Sequence, residues 1–372
     1  MKKIGITGLN GFIGNHLNNK LKLLKEDFEM VKFDRSLFDA PTLLDEFVSQ
    51  CDVIIHLAAI NRNDDPTTLY ETNITLAKSL LNSLERTGKK PHILISSSTQ
   101  EEQENPYGRS KKEGRRIFSE WSKRAGAKFT GLIIPNVYGP FGRPFYNSVV
   151  ATFCHQLACH ETPVIKTDGM LKLIYVEELV DLIIDSIRTE NNSHELKVPH
   201  TAEIKVSELL SVLSYFKNVY QDNGEIPELK NSFEKKLFNT YRCYMDIPNY
   251  FPRKLVQHTD ERGAFVEIAR LGMGGQTSFS TTVPGITRGN HFHTRKIERF
   301  AVIKGKALIQ LRRFESNEVY EFYLDGEEPA YVDMPIWYTH NIKNVGEDTL
   351  YTIFWINEPY NEKDPDTYFE TV

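Results

Sequence analysis

Ile4-Gly5-Ile6-Thr7-Gly8-Leu9-Asn10-Gly11-Phe12-Ile13-Gly14 reads as a short strand, a glycine turn and the opening of a helix that continues from Asn15 to Leu24. A turn of this kind lets backbone approach a pyrophosphate closely while free N–H groups at the helix N-terminus face it. The spacing is G-x-x-G-x-x-G, and its position on the first strand gives it weight. Phe28 to Phe33 alternates as a second strand and ends at Asp34-Arg35, twenty residues past Gly14. An acidic residue there suits the ribose 2′-hydroxyl of NAD, and an arginine suits the 2′-phosphate of NADP. Val53 to Ala59 is the next buried strand, its small residues leaving room for a ligand, and Thr72-Asn73-Ile74-Thr75 opens a helix to Leu84.

Lys90 to Ile95 is a further apolar strand, bounded by Pro91 and by Ser96-Ser97-Ser98-Thr99. After it, Asn105-Pro106-Tyr107-Gly108-Arg109-Ser110-Lys111 starts a helix that puts Tyr107 and Lys111 on one face. A phenol with an ordinary pKa of about 10 transfers protons poorly at neutral pH, and a cation beside it lowers that value. A tyrosine and a lysine one turn apart are otherwise a common solvated pair. The serine cluster and the glycine turn are what make these two a candidate general acid and its tuning cation. Lys128 to Ile134 forms another strand and leads into Pro135-Asn136-Val137-Tyr138-Gly139-Pro140, with Arg143, Tyr146 and Asn147 close behind.

At 372 residues the chain exceeds what one core usually holds, and two domains are expected. With 40% apolar and 26% charged residues and a formal net charge of -5, composition gives no reason to expect nucleic acid or an anionic membrane as partner. Cys51, Cys154, Cys159 and Cys243 form neither a disulfide framework nor a Cys-x-x-Cys pair, which fits reduced thiols in a cytoplasmic protein. No apolar run reaches the length of a signal core or a membrane span. Pro248 and Pro252 mark the expected boundary, dividing an α/β domain of residues 1–247 from an all-β domain of residues 248–372. Beyond the boundary, short strands alternate with glycine or charged turns, as in a jelly roll.

Residues 1 to about 245 resemble an extended short-chain dehydrogenase/reductase. The likeness rests on Gly8, Gly11 and Gly14, on His56-Leu57-Ala58-Ala59, on Asn73, on the serine cluster, on Tyr107-x-x-x-Lys111 and on Asn136-Val137-Tyr138-Gly139-Pro140, in family order. It implies a Rossmann-type fold in which Tyr107 protonates the reduced carbonyl oxygen and Lys111 tunes it and holds the nicotinamide ribose. Ser98 would hydrogen-bond the carbonyl, with Ser97 its rival, and the nine residues from Ser98 to Tyr107 are fewer than in most sugar-nucleotide members. The cofactor cradle would comprise Gly8, Gly11, Phe12, Ile13 and Gly14, then Asp34 or Arg35, then Leu57, Ala58, Ala59 and Asn73. Asn136, Arg143 and Asn147 would face substrate.

Residues from about 250 resemble a cupin. Gly285, His291, His293, Glu298 and Gly305 match G-x5-H-x-H-x4-E-x6-G, and Pro335, His340 and Asn344 fit the second motif with Trp337 in place of its glycine. His291, His293, Glu298 and His340 are the expected ligands of zinc or another divalent metal. The idle alternative leaves Glu298 paired with Arg295 or Arg299. Asp260-Glu261-Arg262-Gly263-Ala264-Phe265 and Pro284 to His291 are similar to the cupin-fold sugar-nucleotide 3,5-epimerases, with Arg288 a candidate for the diphosphate and Tyr338 for proton transfer. A reductase followed by such a cupin is similar over its whole length to the CapF/WbjC capsule and O-antigen enzymes. That resemblance implies NADPH, matched by Arg35, and a homodimer. It further implies C3 epimerisation and C4 reduction of a UDP-2-acetamido-2,6-dideoxy-4-hexulose to the L-talose sugar on the way to N-acetyl-L-fucosamine. A reductase whose cupin only dimerises it is the alternative.

Overall fold

Strand β1 (Lys2–Thr7) carries Ile4 and Ile6 into one apolar layer and turns Gly5 toward the ring of Phe47 on the other side. Both faces of the strand are therefore covered, the usual condition of a parallel sheet. The computed structural model describes every residue except Arg262, so the arginine of the epimerase-like stretch lies outside the described residues. The chain divides into two compact units, Met1–Thr152 with Thr167–Val206 and Phe153–Lys166 with Ser207–Val372. The boundary expected at 247/248 falls inside the second of them.

In the first unit, α1 (Phe12–Leu23) follows β1, and β2 (Phe28–Val31), α2 (Pro41–Gln50), β3 (Val53–His56), α3 (Pro66–Thr87), β4 (His92–Ser98), α4 (Pro106–Ala125) and β5 (Phe129–Ile134) come next. Then come β6 (Asn136–Tyr138), α5 (Val149–Ala158, which leaves the first unit at Phe153), β7 (Met170–Tyr175), α6 (Val176–Arg188), β8 (Leu196–Lys197) and β9 (Ala202–Lys205). The main sheet has the order β2-β1-β3-β4-β5-β8 and every pairing in it is parallel. α1 and α6 cover one face with Leu17, Leu21, Leu179, Ile183 and Ile187, and α2, α3 and α4 cover the other with Phe47, Leu80, Phe118 and Trp121. In α6 the apolar residues Val176, Leu179, Val180, Ile183, Ile184 and Ile187 recur at helical spacing, and all are buried. The chain goes from β1 to one side and then to the other, which opens a crevice beyond the ends of β1 and β3.

α3 begins at Pro66, six residues before the start expected at Thr72. Asp65 caps it by accepting from Thr67 N and Thr68 N at 3.0 and 3.2 Å, and Pro66 fits the first helical position. Asn73 thus lies inside the helix.

The second unit holds α7 (Val206–Phe216, entering it at Ser207), a π-helical turn over Lys217–Asp222, α8 (Ser232–Arg242), α9 (Ile247–Tyr250) and an antiparallel β assembly. Its strands are β10 (Arg253–Lys254), β11 (Gln257–Asp260), β12 (Gly263–Val266), β13 (Gln276–Thr282), β14 (Thr287–Phe292), β15 (Glu298–Lys304) and β16 (Lys306–Arg313), followed by β17 (Val319–Asp325), β18 (Ala330–Met334), β19 (Tyr338–Asn344), β20 (Leu350–Ile356) and β21 (Tyr368–Phe369). Two five-stranded sheets, β10-β18-β15-β20-β13 and β17-β16-β19-β14-β21, make the jelly-roll body, and β11 and β12 pair as a separate hairpin. The helices pack on this body. Tyr220 donates to the buried carboxylate of Asp333 at 2.7 Å, which also receives Arg299, and Arg242 donates to Met334 O. No helix among the described residues is long and apolar enough to cross a membrane.

Candidate functional site

At the crevice of the first unit, Gly8 has φ +78°, and a Cβ there would lie 2.7 Å from Ala58 N. Only glycine lets the turn and the end of β3 meet this closely. Ala58 N donates to Thr7 Oγ1 at 3.3 Å and fastens the same junction. Beside it is a cleft of about 410 Å³. Gly8, Gly11, Phe12, Ile13, Gly14, Leu57 and Ala59 line one part of it, and Ser97, Ser98, Tyr107, Lys111, Asn136, Arg143 and Asn147 line the rest. Ala58 backs Gly8 without lining the cleft. The open glycine turn at a helix N-terminus fits the diphosphate of a dinucleotide.

Three more of the expected cradle residues do not line this cleft. Asn73 braces the 57–60 loop, accepting from Ile60 N at 2.8 Å and donating to Ile60 O and Ser110 Oγ, both at 3.0 Å. Asp34 spends its carboxylate on Ser36 N and Ser36 Oγ, which lowers its pKa, and Arg35 is exposed. Neither of these two lines the cleft.

The short Ser98–Tyr107 interval is spanned by a 3-10 turn over Thr99–Glu102, capped by Ser98, whose Oγ accepts from Gln100 N at 3.1 Å. Asn105 caps α4 by accepting from Gly108 N at 2.7 Å. A Cβ on Gly108 would stand 2.1 Å from Gln100 O, so this contact requires glycine. The turn leaves Ser98 close enough to Tyr107 to act on its phenol. Ser97 instead donates to Glu101, which also holds Arg115 through bonds of 3.1 and 2.7 Å. Sequence reasoning missed this Glu101–Arg115 brace.

Lys111 does not lower the phenol as expected. Burial, followed by the neighbouring Tyr146, pushes Tyr107 up to about 12 against the opposing effect of Ser98. Burial also brings Lys111 down to about 8. Its Nζ donates to Ser96 O at 3.1 Å and Ser96 Oγ at 3.3 Å, and stands 5.7 Å from the centre of the Tyr107 ring. Tyr107 is therefore a neutral phenol, the form a proton donor requires. Tyr146, which also lines the cleft, accepts from Asn61 N at 3.1 Å, and the Arg143 guanidinium lies 5.2 Å from its ring centre.

In the second unit, His291, His293, Glu298 and His340 converge, their donor atoms all within 4.8 Å of one another. His291 is pushed down to about 3 by burial and by the other two histidines, which leaves a lone pair free. Burial works against charge on Glu298, but His293 and His340 outweigh it and hold the carboxyl well below its usual range. Against the same penalty, Glu298 raises His293. His293 Nε2 and His340 Nε2 lie 3.2 and 3.1 Å from Glu298 Oε2. These contacts are close but miss hydrogen-bond geometry, so all three atoms are buried without a hydrogen-bond partner. Three imidazoles and a carboxylate aimed at one point fit a divalent cation. Glu298 is not paired with Arg299, which is bound to Asp333, nor with Arg295, which holds Glu358 and Asp364.

Arg288 is tied to its own unit, donating to Thr282 Oγ1 at 3.2 Å and Thr281 O at 3.1 Å. Tyr338 is buried, which raises its hydroxyl. Trp337 takes the glycine position with φ +61°.

Residues 4–198 match the NAD dependent epimerase/dehydratase family, and residues 258–368 match the polysaccharide biosynthesis C-terminal domain. The chain is 32% identical over 369 residues, 98% of each chain, to a UDP-2-acetamido-2,6-beta-L-arabino-hexul-4-ose reductase of Pseudomonas aeruginosa. It is 27% identical over 124 residues, 31% of this chain and 82% of the relative, to the spore coat polysaccharide biosynthesis protein SpsL of Bacillus subtilis. Among solved structures, the capsular polysaccharide assembling protein CapF of Staphylococcus aureus covers 100% of both chains with 34% identity and a TM-score of 0.63. The chain belongs to the NAD-dependent epimerase/dehydratase family, in a form that carries a polysaccharide biosynthesis C-terminal domain.

Proposed function

We propose that the chain reduces the C4 ketone of a UDP-2-acetamido-2,6-dideoxy-4-hexulose with NADPH, after its cupin has inverted C3. The product is then UDP-2-acetamido-2,6-dideoxy-L-talose, on the route to UDP-N-acetyl-L-fucosamine for capsule or O-antigen. The observation that carries this reading is the neutral Tyr107, set with Ser98 and Lys111 in the same cleft as the glycine turn. The full-length likeness to a hexul-4-ose reductase supports the substrate class.

When bound, NADPH supplies the hydride. Ser98 and Tyr107 hold the ketone oxygen, and Tyr107 gives its proton to that oxygen as negative charge develops there. Lys111 keeps positive charge beside the phenol, while Asn136, Arg143 and Asn147 orient the sugar nucleotide. Arg35 favours NADPH through the 2′-phosphate. In the cupin, His291, His293, Glu298 and His340 would hold a divalent metal, zinc by its donor set, whose charge would favour enolisation at C3. A cytoplasmic homodimer completes the proposal.

The test uses deuterated buffer. With substrate and no NADPH, the protein should exchange the C3 proton, and Tyr107→Phe should leave that exchange and cofactor binding intact while abolishing NADPH oxidation. NADPH oxidation that survives in Tyr107→Phe defeats the reductase reading. Intact reduction without C3 exchange makes the cupin a dimerisation module.

A further inference from the structure

Residues 365–370 take no part in the chemistry described above, yet they are bound to the strands that carry the histidines. Asp366 is buried, and its carboxylate accepts from Thr294 N at 3.1 Å, Thr294 Oγ1 at 2.6 Å, Arg295 N at 3.0 Å and Lys296 N at 3.1 Å. Those three residues lie in the turn between His293 and Glu298. Lys296 Nζ donates to Pro365 O at 2.7 Å, and β21 pairs with β14 through His291 with Phe369 and Phe292 with Tyr368. The backbone oxygen of Asp366 accepts from His293 Nδ1 at 2.5 Å, across 73 residues of sequence.

A carbonyl oxygen can only accept, so the His293 Nδ1 facing it must carry hydrogen. In the neutral ring the lone pair then sits on Nε2, which is buried, unpartnered and beside Glu298. His340 has a similar bond, Nδ1 to Tyr338 O at 3.0 Å, but its acceptor is only two residues away on its own strand. The anchor of His293 comes from a distant segment and depends on that segment staying in place.

We propose that residues 365–370 are a working part of the metal centre. By accepting the Nδ1 hydrogen of His293 and clamping the 294–296 turn, the segment selects the Nε2-ligating form of His293 and sets the affinity for a divalent cation. Asp366 is a positioning residue in this scheme. The inference rests on reading the four side chains as a metal site, and failure of the full chain to bind zinc would defeat that reading separately.

Zinc is the probe, titrated against a chromophoric chelator with the full chain. Asp366→Ala keeps the carbonyl but removes the clamp that holds it against His293 Nδ1, and should bind zinc about 10-fold more weakly, the lower end of the cost of losing an outer partner of a metal-bound histidine. Asp366→Asn keeps one oxygen for the turn N–H groups and should lose less. Lys254→Ala, which removes only an exposed pair with Glu328, should bind as the parent does. Unchanged affinity in Asp366→Ala with parent-like circular dichroism overturns the proposal. Should that variant not fold, 15N spectra of histidine in the zinc-loaded parent decide: Nε2 ligation with Nδ1 protonated at His293 is expected, and ligation through Nδ1 overturns the proposal.

Discussion

Lys111 sheds its proton near pH 8 in its buried position, well below the ordinary lysine range of about 10.4. The charged form exists below that value and is lost above it, whereas Tyr107, pushed up to about 12, keeps its proton throughout. Reduction should therefore weaken as pH rises through about 8, read as a falling limb in kcat/KM. Lys111→Arg keeps its charge and should lose the limb even if its rate is lower; a limb that stays in place assigns the titration to another group. The Tyr107–Lys111 pair was legible in the sequence because its spacing puts both on one helical face and the serine cluster and glycine turn give that spacing meaning. The direction of the phenol's shift was not, because it comes from burial and from Tyr146, 39 residues further on. Glu101 and Arg115 read as ordinary polar positions and become partners only when the 3-10 turn folds back on α4.

That turn and α4 act as one element. Its tolerance is set by Gly108, where the backbone of the helix meets the carbonyl of Gln100 with no space for a side chain. Gly108→Ala must push the first turn of α4 away from the Ser98 strand end and carry Tyr107 with it. A displacement of about 1 Å in a reacting group can cost on the order of 100-fold in rate. We expect kcat for NADPH oxidation to fall by about that factor in Gly108→Ala, with cofactor affinity nearly unchanged. A parent-like kcat would mean that Ser98 and Tyr107 need not keep this spacing. The elements of the first unit were largely readable from apolar periodicity, as α6 illustrates. The early start of α3 was signalled by Asp65-Pro66, a cap and a first-turn proline, and was obscured by the polar residues that follow.

Across the whole molecule, the change from α/β to all-β texture was visible in the sequence, and the allegiance of the helices after Ser207 was not. Nothing in the sequence around Tyr220 or Arg242 names their partners, and only the fold brings them to Asp333 and Met334. A hydrogen bond to a charged group contributes about 1.5–3 kcal/mol, and Tyr220 makes one to a buried carboxylate. A fragment of residues 248–372 should therefore melt roughly 5–10 °C below one of residues 207–372, or fail to fold. Equal melting temperatures would support a boundary at 248. The convergence of His291, His293, Glu298 and His340 was legible because these residues follow a fixed spacing in the sequence. Asp366 was not, since a partner 73 residues away leaves no local pattern.

Trp337 occupies a left-handed backbone position that favours glycine, with its N–H donating to His293 O at 2.7 Å. Its ring stacks on Phe292, which stacks in turn on Tyr368. A residue held in this region costs about 1–3 kcal/mol, while emptying a buried tryptophan site costs about 3–5 kcal/mol. A change to glycine would relieve the smaller cost by incurring the larger, so the tryptophan stays. The turn beside His293 is thereby fastened to an aromatic stack, and thinning that stack at Phe292 or Tyr368 would loosen both.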